Sequence, residues 1–205
     1  MELARMRRTE VRQCAELAAR AFHTYDYFTL FFEDVEVRMR YLQTIIASEF
    51  RANYRSANLL VLKDNGRIVA VAQLHAPDYK KPSDLKSLLS GFTKIYRVAD
   101  KQNIDNWLAM DADAAKPCHE MEKDAWYLSS LVVDPQCQHQ HYGSRMIEEK
   151  LVPFIKQRGG SRLALFTNAE GNCKFYESLG FVQFHSTTIA YGGKIMGSWS
   201  YVKNI

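Results

Sequence analysis

The chain has 205 residues, of which 47% are hydrophobic and 24% are charged. This length and balance are ordinary for a single globular domain with a substantial core. The formal net charge of +4 is compatible with a polyphosphate ligand and too small to indicate a nucleic-acid-binding protein. The sequence shows neither a signal-peptide pattern nor an apolar run of membrane-spanning length, so we expect a soluble cytoplasmic protein.

The cysteines are far apart and show no C-x-x-C spacing, which is typical of free thiols in a reducing compartment. They are Cys14, Cys118, Cys137 and Cys173.

The N-terminal region begins with a short predicted strand near Leu3 to Met6. Thr9 is a candidate cap for a helix whose apolar face runs from Val11 to Phe22. An aromatic run then follows at 25–32, and its density is unusual for a solvated connection. The simplest interpretation of this run is a plug in the core.

A second amphipathic helix is predicted from Val35 to about Tyr54 by apolar residues at helical spacing. Two strand-like runs come next, at 59–62 and 67–74. Asp64-Asn65-Gly66 joins them and predicts a hairpin, because Asn and Gly tolerate positive φ.

Residues 76–82 contain two prolines and are expected to form a loop. Residues 83–115 show helical spacing and are predicted as two helical pieces, broken near Gly91 or at Asp100, with Leu85, Leu88 and Leu89 on one apolar face. Residues 117–124 are expected to form a polar connection.

The stretch 126–143 combines a strand, a polar turn and the start of a helix. Trp126 to Val133 is apolar and β-branched, and Asp134-Pro135 ends it. From Gly143 to Gln157 the apolar residues have helical spacing, with Pro153 expected to kink the helix. A strand, loop and helix in this order point backbone N–H groups and a positive helix end at one place, which suits a phosphate.

The C-terminal region continues with a strand at 162–167 after Gly159-Gly160, parallel to the preceding strand through a right-handed crossover. A short helix at 171–180 and a hairpin of 181–191 and 194–203 complete the chain. The predicted class is α/β (α+β), with a mixed, mainly antiparallel sheet of six or seven strands flanked by helices.

Two linked segments, Leu131 to Gly143 and Asn172 to Phe181, together resemble the GNAT superfamily of N-acetyltransferases. The first resembles the family's acyl-coenzyme A signature, an L-x-V-x-P strand end leading into Q/R-x-x-G-x-G/A, with His141 at the position of the first glycine. The second resembles the family's N-x-x-x-x-Y-x-x-x-G-F segment and runs from Asn172 to Phe181. Together the segments cover about the last third of the chain.

The resemblance implies a GNAT-type sheet whose fourth and fifth strands part to hold acetyl-coenzyme A. The free edge from Ser130 to Val133 would bind the pantetheine arm, and an N–H near Leu131 or Val132 would stabilise the oxyanion. The pyrophosphate would bind the following loop. The implied cofactor-binding residues are Leu131, Val132, Val133, Gln138, His139, Gln140, His141, Tyr142, Gly143, Ser144 and Asn172.

Asn172 and Tyr176 are four residues apart and therefore share a helix face. The resemblance assigns Asn172 to a hydrogen bond with the cofactor and Tyr176 to protonation of the departing thiolate. A phenol remains protonated at working pH and can serve in this way. The alternative for Tyr176 is a buried tyrosine that packs beside Phe175.

The general base and the amine acceptor are less defined by the sequence. In the family the region between the first two helices borders the acceptor pocket, so Tyr27 and Phe28 are candidate acceptor-binding residues as well as candidate core residues. Tyr127 and Ser129 are further candidates, because strict strand alternation places them on the face of Leu131. Possible bases acting through water are His119, Glu120 and Glu122. The helical segment at 83–115 is interpreted as an elaboration over the acceptor side.

The sequence thus predicts a single N-acetyltransferase domain over 1–205 that moves an acyl group from acetyl-coenzyme A to a primary amine of a small molecule, by direct transfer in a ternary complex. The alternative is a non-catalytic acyl-coenzyme A binder on the same fold. A covalent intermediate on Cys137 or Cys173 lacks a histidine and acid partner. No metal, nucleic acid or membrane partner is expected, although Cys137, His139 and His141 alternate as metal ligands would. A homodimer is compatible with the sequence.

Overall fold

A computed structural model describes residues 1–121 and 125–205. Its strands, numbered along the chain, are β1 (Glu2–Arg5), β2 (Asn58–Asp64), β3 (Arg67–His75), β4 (Ala125–Val133), β5 (Arg162–Thr167), β6 (Val182–Tyr191) and β7 (Lys194–Asn204). They form one seven-stranded sheet in the order β1-β2-β3-β4-β5-β7-β6. The β4 and β5 pair is parallel, and each of the other neighbouring pairs is antiparallel. The predicted mixed, mainly antiparallel sheet is confirmed.

Helices cover both faces of this sheet. They are α1 (Val11–Phe22), α2 (Asp26–Thr29), α3 (Val35–Asn53), α4 (Asp84–Leu89), α5 (Lys101–His119), α6 (142–156) and α7 (Glu170–Ser178). Short 3-10 turns lie at Arg8–Glu10, Phe92–Arg97 and Pro135–Cys137. Apolar residues of α6 pack on one face of the sheet, and those of α1 and α3 pack on the other. A further cluster joins α2, α3 and α5 with Ile189 and Met196 of the last hairpin.

The β2–β3 hairpin forms as predicted. Asn65 has φ of 46° and Gly66 has φ of 79°, which is the left-handed geometry of a two-residue hairpin turn. The aromatic run is largely buried, with Phe31 and Phe32 each 3% exposed. The interpretation as a core plug therefore holds for its second half.

Some boundaries differ from prediction. The turn before α1 is stabilised by the Glu10 carboxylate, which accepts a hydrogen bond from the backbone N–H of Arg7 at 2.8 Å, so Thr9 is not the cap. Both predicted breaks occur, since the chain leaves helical geometry at Gly91 and Asp100 caps α5 through the N–H of Asn103. The helix α5 then extends to His119, so the predicted polar connection is wrong over 117–119, and its residues 122–124 lie outside the described chain.

The helix α6 accommodates Pro153 through a π-helical stretch, Met146–Leu151, immediately before it. The N–H of Val152 donates to the carbonyl of Ile147, one residue further back than in an α-helix. This shift in hydrogen-bond register is a common way to relieve an interruption inside a helix. Gly159 adopts φ of 75° and ends the helix as expected.

Candidate functional site

The strands β4 and β5 separate soon after they begin to pair. Their parallel register extends from Ala125, opposite Arg162, to Tyr127, opposite Ala164. A cavity of about 430 Å³ opens in the gap beyond this point. The separation begins directly after Tyr127, before the free edge from Ser130 to Val133 that the resemblance implies, so more of the β4 edge is free.

A β-bulge on β4 lies at this point of separation. Gln73 of β3 faces Ser130 and Leu74 faces Leu128, so Ser129 is an extra residue in β4. A bulge bends its strand and reverses the alternation of side chains beyond it. Accordingly, Leu131 packs with the cluster of Leu128 on one face, whereas Tyr127 packs in a separate cluster with Cys118. The prediction that Tyr127 and Leu131 share a face is wrong for this reason.

The backbone of β4 offers donors to the cavity. The N–H of Asp134 donates to the carbonyl of Val69 on β3 at 2.8 Å. In an antiparallel pair, backbone groups alternate between the two edges of a strand, so the N–H of Val132 also points to β3. The N–H groups of Leu131 and Val133 therefore point to the cavity. This alternation favours Leu131 over Val132 as the oxyanion donor.

The loop after β4 has the backbone geometry of a phosphate cradle. His139 and His141 have φ of 61° and 62°, and the helical run 142–156 starts directly after them. The first N–H groups of a helix lack intrahelical acceptors and face an anion at this end. The positive φ of His141 explains why the resembling pattern has a glycine here, since a residue without Cβ adopts it at little cost.

Two polar contacts hold this loop on the β2–β3 hairpin. The Tyr142 hydroxyl donates to Oδ2 of Asp64 at 2.7 Å, and Nη2 of Arg67 donates to Oδ2 of Asp134 at 2.9 Å. Burial opposes ionisation of Asp134, but the hydrogen bond from Arg67 lowers its pKa overall. The side chain of Tyr142 thus has a structural partner, which leaves its backbone N–H for a ligand.

Replacing His141 by glycine is expected to increase thermal stability slightly and to preserve binding of acetyl-coenzyme A. A left-handed backbone costs an L-residue about 1–2 kcal/mol, and the greater flexibility of unfolded glycine offsets about half of this. Thermal melting with and without the thioester measures both effects. Loss of the ligand-induced shift would show that the imidazole itself binds the ligand.

The other side of the cavity is formed by the end of β5 and by α7. Asn172 and Tyr176 both line it. The Nδ2 of Asn172 donates to Thr167 Oγ1 at 3.1 Å, and that hydroxyl also lies 3.1 Å from the Tyr25 hydroxyl. This network fixes the Asn172 amide at the wall of the cavity.

Tyr176 packs edge-on against Phe175, Phe181 and the core of α7. Its hydroxyl has no hydrogen-bond partner within residues 1–121 and 125–205. Burial, and to a smaller extent the Tyr25 hydroxyl, raise the pKa of Tyr176 above its ordinary value. The phenol is therefore protonated at neutral pH and free to donate into the cavity.

Two carboxylates that sequence reasoning missed also line the cavity. Glu49 extends from α3 and Asp111 from α5. Asn53 donates to Glu49 Oε2 at 3.4 Å, and the Tyr27 hydroxyl donates to Asp111 Oδ1 at 2.8 Å. Each carboxylate lies beside the apolar face of its helix. A charged residue at such a position is the feature of the sequence that could have identified both as candidate site residues.

The pKa of the Glu49 carboxyl group lies near neutral pH. Desolvation at the cavity wall, and then the charge of Asp111, raise its pKa from 4.5 to about 7, although the residue as a whole is exposed. The hydrogen bond from Gln73 and the charge of Lys81 lower this pKa. A base with a pKa near the operating pH is ionised often enough to accept a proton and strong enough to hold it.

Some of the remaining candidate acceptor and base residues line the cavity, and others do not. Tyr27, Phe28 and Ser129 line the cavity, whereas Tyr127 does not. Further candidates lie outside its wall: His119 packs on Tyr127 at 4.8 Å between ring centroids, and Glu120 pairs with Lys116 at 3.7 Å. Glu122 lies outside the described residues.

The phosphate-binding candidates Gln140, Gly143 and Ser144 lie on the loop and first helical turn, beyond the cavity that Gln138 borders.

Within residues 1–121 and 125–205, no three His, Cys, Asp or Glu side chains are grouped to hold a metal ion. The same residues contain no helix that is both long and apolar enough to cross a bilayer. The four cysteines are buried free thiols.

Comparison with solved structures shows the same fold. A Drosophila melanogaster polyamine N-acetyltransferase aligns with a TM-score of 0.65 at 11% identity, covering 100% of this chain and 99% of that one. A ribosomal-protein-alanine N-acetyltransferase from Brucella melitensis aligns with a TM-score of 0.58 at 13% identity, covering 100% of both chains. A search of curated protein sequences found no match.

The family comparison is more specific than these structural likenesses. The model of the acetyltransferase (GNAT) family matches residues 13–181, which include both segments that carry the resemblance and all of β2 to β5. This chain therefore belongs to the acetyltransferase (GNAT) family.

Proposed function

We propose that this protein is an acetyl-coenzyme A-dependent N-acetyltransferase that acylates a primary amine of a small molecule. The observation that carries the proposal is a single cavity that receives both the Leu131 N–H from the parted β4 edge and the Glu49 carboxylate. One group suits an oxyanion and the other suits an ammonium proton. Both are needed for acyl transfer from a thioester to an amine.

The residues present fit the cofactor. The free edge of β4, with the N–H groups of Leu131 and Val133, would bind the pantetheine arm as an added strand. The loop from Gln138 to Ser144 would bind the pyrophosphate through backbone N–H groups. Acetyl-coenzyme A would supply the activated acyl group, and the side-chain amide of Asn172, which lines the cavity, would hydrogen-bond the arm.

The reaction then requires proton transfers at both the amine and the sulphur. The acceptor enters as an ammonium ion, and Glu49 takes one proton, directly or through water, to free the nitrogen lone pair. The nitrogen attacks the thioester carbonyl, and the Leu131 N–H stabilises the oxyanion, worth about 3 kcal/mol. When the C–S bond breaks, Tyr176 donates a proton to the sulphur and regains one from the amide nitrogen or solvent.

The acceptor side of the cavity is small and closed around aromatic rings, which supports a small molecule rather than a protein terminus. Tyr27, Phe28 and Trp107 form this wall and are each under 8% exposed. The structural relatives act on different acceptors, since one is named for polyamines and the other for a ribosomal protein. The cavity itself is therefore the better guide to the acceptor.

Saturating acetyl-coenzyme A is expected to raise the melting temperature, because a ligand that binds only the native state stabilises it by about 2.7 kcal/mol at a hundredfold excess over Kd. A mixed panel of small amines is then expected to release free thiol from the thioester. Absence of a melting shift would contradict any acyl-coenzyme A function. A shift without thiol release would favour the alternative, a non-catalytic acyl-coenzyme A binder, for which His141 at the glycine position is the supporting observation.

A further inference from the structure

The acceptor cavity has one more negative charge than acyl transfer requires. Its lining includes the carboxylates of Glu49 and Asp111, and among the described residues that line it there is no lysine, arginine or histidine. A single ammonium group placed beside Glu49 for reaction would satisfy that carboxylate. Lys81 lowers the pKa of both carboxylates by its charge but does not line the cavity. Asp111 would then face the cavity with no cation in the described lining to pair with it.

Asp111 is held ready for a ligand rather than neutralised by the protein. The Tyr27 hydroxyl donates to Oδ1 at 2.8 Å, while Oδ2 has no hydrogen-bond partner among residues 1–121 and 125–205. Tyr27 also fixes the orientation of the carboxylate, because its own ring is 5% exposed and packed against Phe28. Asp111 is partly exposed at the cavity wall, and an ionised carboxylate that has lost part of its water is costly unless a cation pairs with it.

The walls around Asp111 are also suited to a cation. The rings of Phe28 and Trp107 stack with centroids 5.2 Å apart, and Tyr27 lies 5.4 Å from Trp107. Aromatic faces attract ammonium groups, most strongly where water is excluded.

We propose that the acceptor carries a second cationic group and that Asp111, oriented by Tyr27, binds it while Glu49 deprotonates the reacting amine. The substrate class is thus a diamine or an amine with a second permanently cationic group. This inference rests on the proposed function for the role of Glu49, but the second cation site can be measured without turnover. A purely aromatic amine would fill the wall and leave Asp111 unpaired, which is why the structure favours a dication.

The test compares putrescine with n-butylamine, which has the same carbon chain and one charge, and with 2-phenylethylamine. With coenzyme A bound, which has no acyl group to transfer, putrescine is expected to raise the melting temperature more than either monoamine. With acetyl-coenzyme A, its kcat/KM for thiol release is expected to exceed that of n-butylamine by about 10- to 100-fold, as for a hydrogen bond to a charged group. A series from ethylenediamine to cadaverine gives the preferred charge separation.

Asp111→Asn is expected to abolish this preference for putrescine in both measurements. Asp113→Asn is the matched control, because Asp113 lies on the same helix, is exposed and contacts Tyr191 instead of the cavity. The control is expected to keep the preference.

A monoamine that binds and reacts as well as putrescine with the wild-type protein would overturn the inference, whether or not the variants fold. A preference that persists in a folded Asp111→Asn protein would also overturn it. If no amine releases thiol but putrescine still gives the larger melting shift, the proposed function fails and the second cation site stands. If all amines release thiol equally, the proposed function stands and the second cation site fails.

Discussion

Replacing Glu49 by glutamine is expected to lower kcat/KM for amine acylation by about 10²- to 10⁴-fold, the usual contribution of a positioned general base. Glutamine keeps the size of the side chain and can still contact Asn53, which donates to the Glu49 carboxylate, but it cannot accept the ammonium proton. The melting shift with acetyl-coenzyme A is expected to remain, because Glu49 lies on the acceptor side of the cavity. Steady-state thiol release across an amine concentration series measures the loss.

The pH dependence provides a second readout of the same residue. The pKa of Glu49 is raised to about 7 by enclosure in the protein and by the charge of Asp111. Activity of the wild-type protein is therefore expected to rise as the pH increases through about 7, where Glu49 loses its proton. Glu49→Gln is expected to lose this rise. An unchanged profile in the variant would assign the ionisation, and the base, to another group.

The pH dependence of the free energy of unfolding provides a further test of the Glu49 carboxylate. A carboxyl group whose pKa is higher in the folded state than its ordinary value of 4.5 binds its proton more tightly when folded. Its ionisation therefore destabilises the protein as the pH rises from about 4.5 to 7. Glu49→Gln is expected to melt like the wild type at pH 4 and roughly 2–4 °C higher at pH 8, corresponding to about 1 kcal/mol after screening by water in the cavity.

A matched control for both measurements is Glu36→Gln. Glu36 lies in the first turn of the same helix and is exposed, so neither activity nor its pH profile is expected to change. A large loss of activity in this control would indicate that the helix, rather than the Glu49 carboxylate, is responsible.

Replacing Tyr176 by phenylalanine is expected to lower kcat by about 10²-fold or more and to leave acetyl-coenzyme A binding nearly intact. The hydroxyl has no hydrogen-bond partner in residues 1–121 and 125–205, so its removal leaves no buried group unsatisfied. The ring keeps its contacts with Phe175 and Phe181. Single-turnover thiol release isolates the chemical step, and the melting shift reports binding.

The control for this variant is Tyr96→Phe. Tyr96 is 38% exposed, and its hydroxyl contacts Asp105 on the surface, so its loss is expected to leave the rate unchanged. Equal turnover by Tyr176→Phe and the wild type would remove Tyr176 from the acid role and favour its interpretation as a packing residue. A thiolate could then take its proton from water.

Much of the fold could be predicted from the sequence, because its strongest signals are local. The helix Val35–Asn53 follows from apolar residues at helical spacing, and the β2–β3 hairpin follows from the φ tolerance of Asn65 and Gly66. The parallel pairing of β4 with β5 follows from the helix that crosses between them. Each of these depends on residues that are neighbours in the chain.

One prediction is wrong because side-chain alternation along a single strand was applied without knowledge of the neighbouring strand. Alternation along β4 placed Tyr127 on the face of Leu131, but the bulge at Ser129 is visible only when β3 is paired beside it. The sequence also offers His119, upstream of β4, as a base acting through water, and that candidate stays a prediction. The Glu49 carboxylate, which we propose as the base, lines the cavity from about 70 residues earlier in the chain.

By itself the sequence determined the part of the cavity that we propose for the cofactor, since the β4 strand end, the turn and the helix start are contiguous and offer backbone N–H groups whatever their side chains. Only the tertiary structure decided the acceptor half, because Glu49, Asp111 and Tyr27 lie on three separate helices that meet across the gap between β4 and β5. Long-range packing of this kind leaves no fixed spacing in the sequence. The charge and aromatic lining that define the acceptor are therefore visible only after folding.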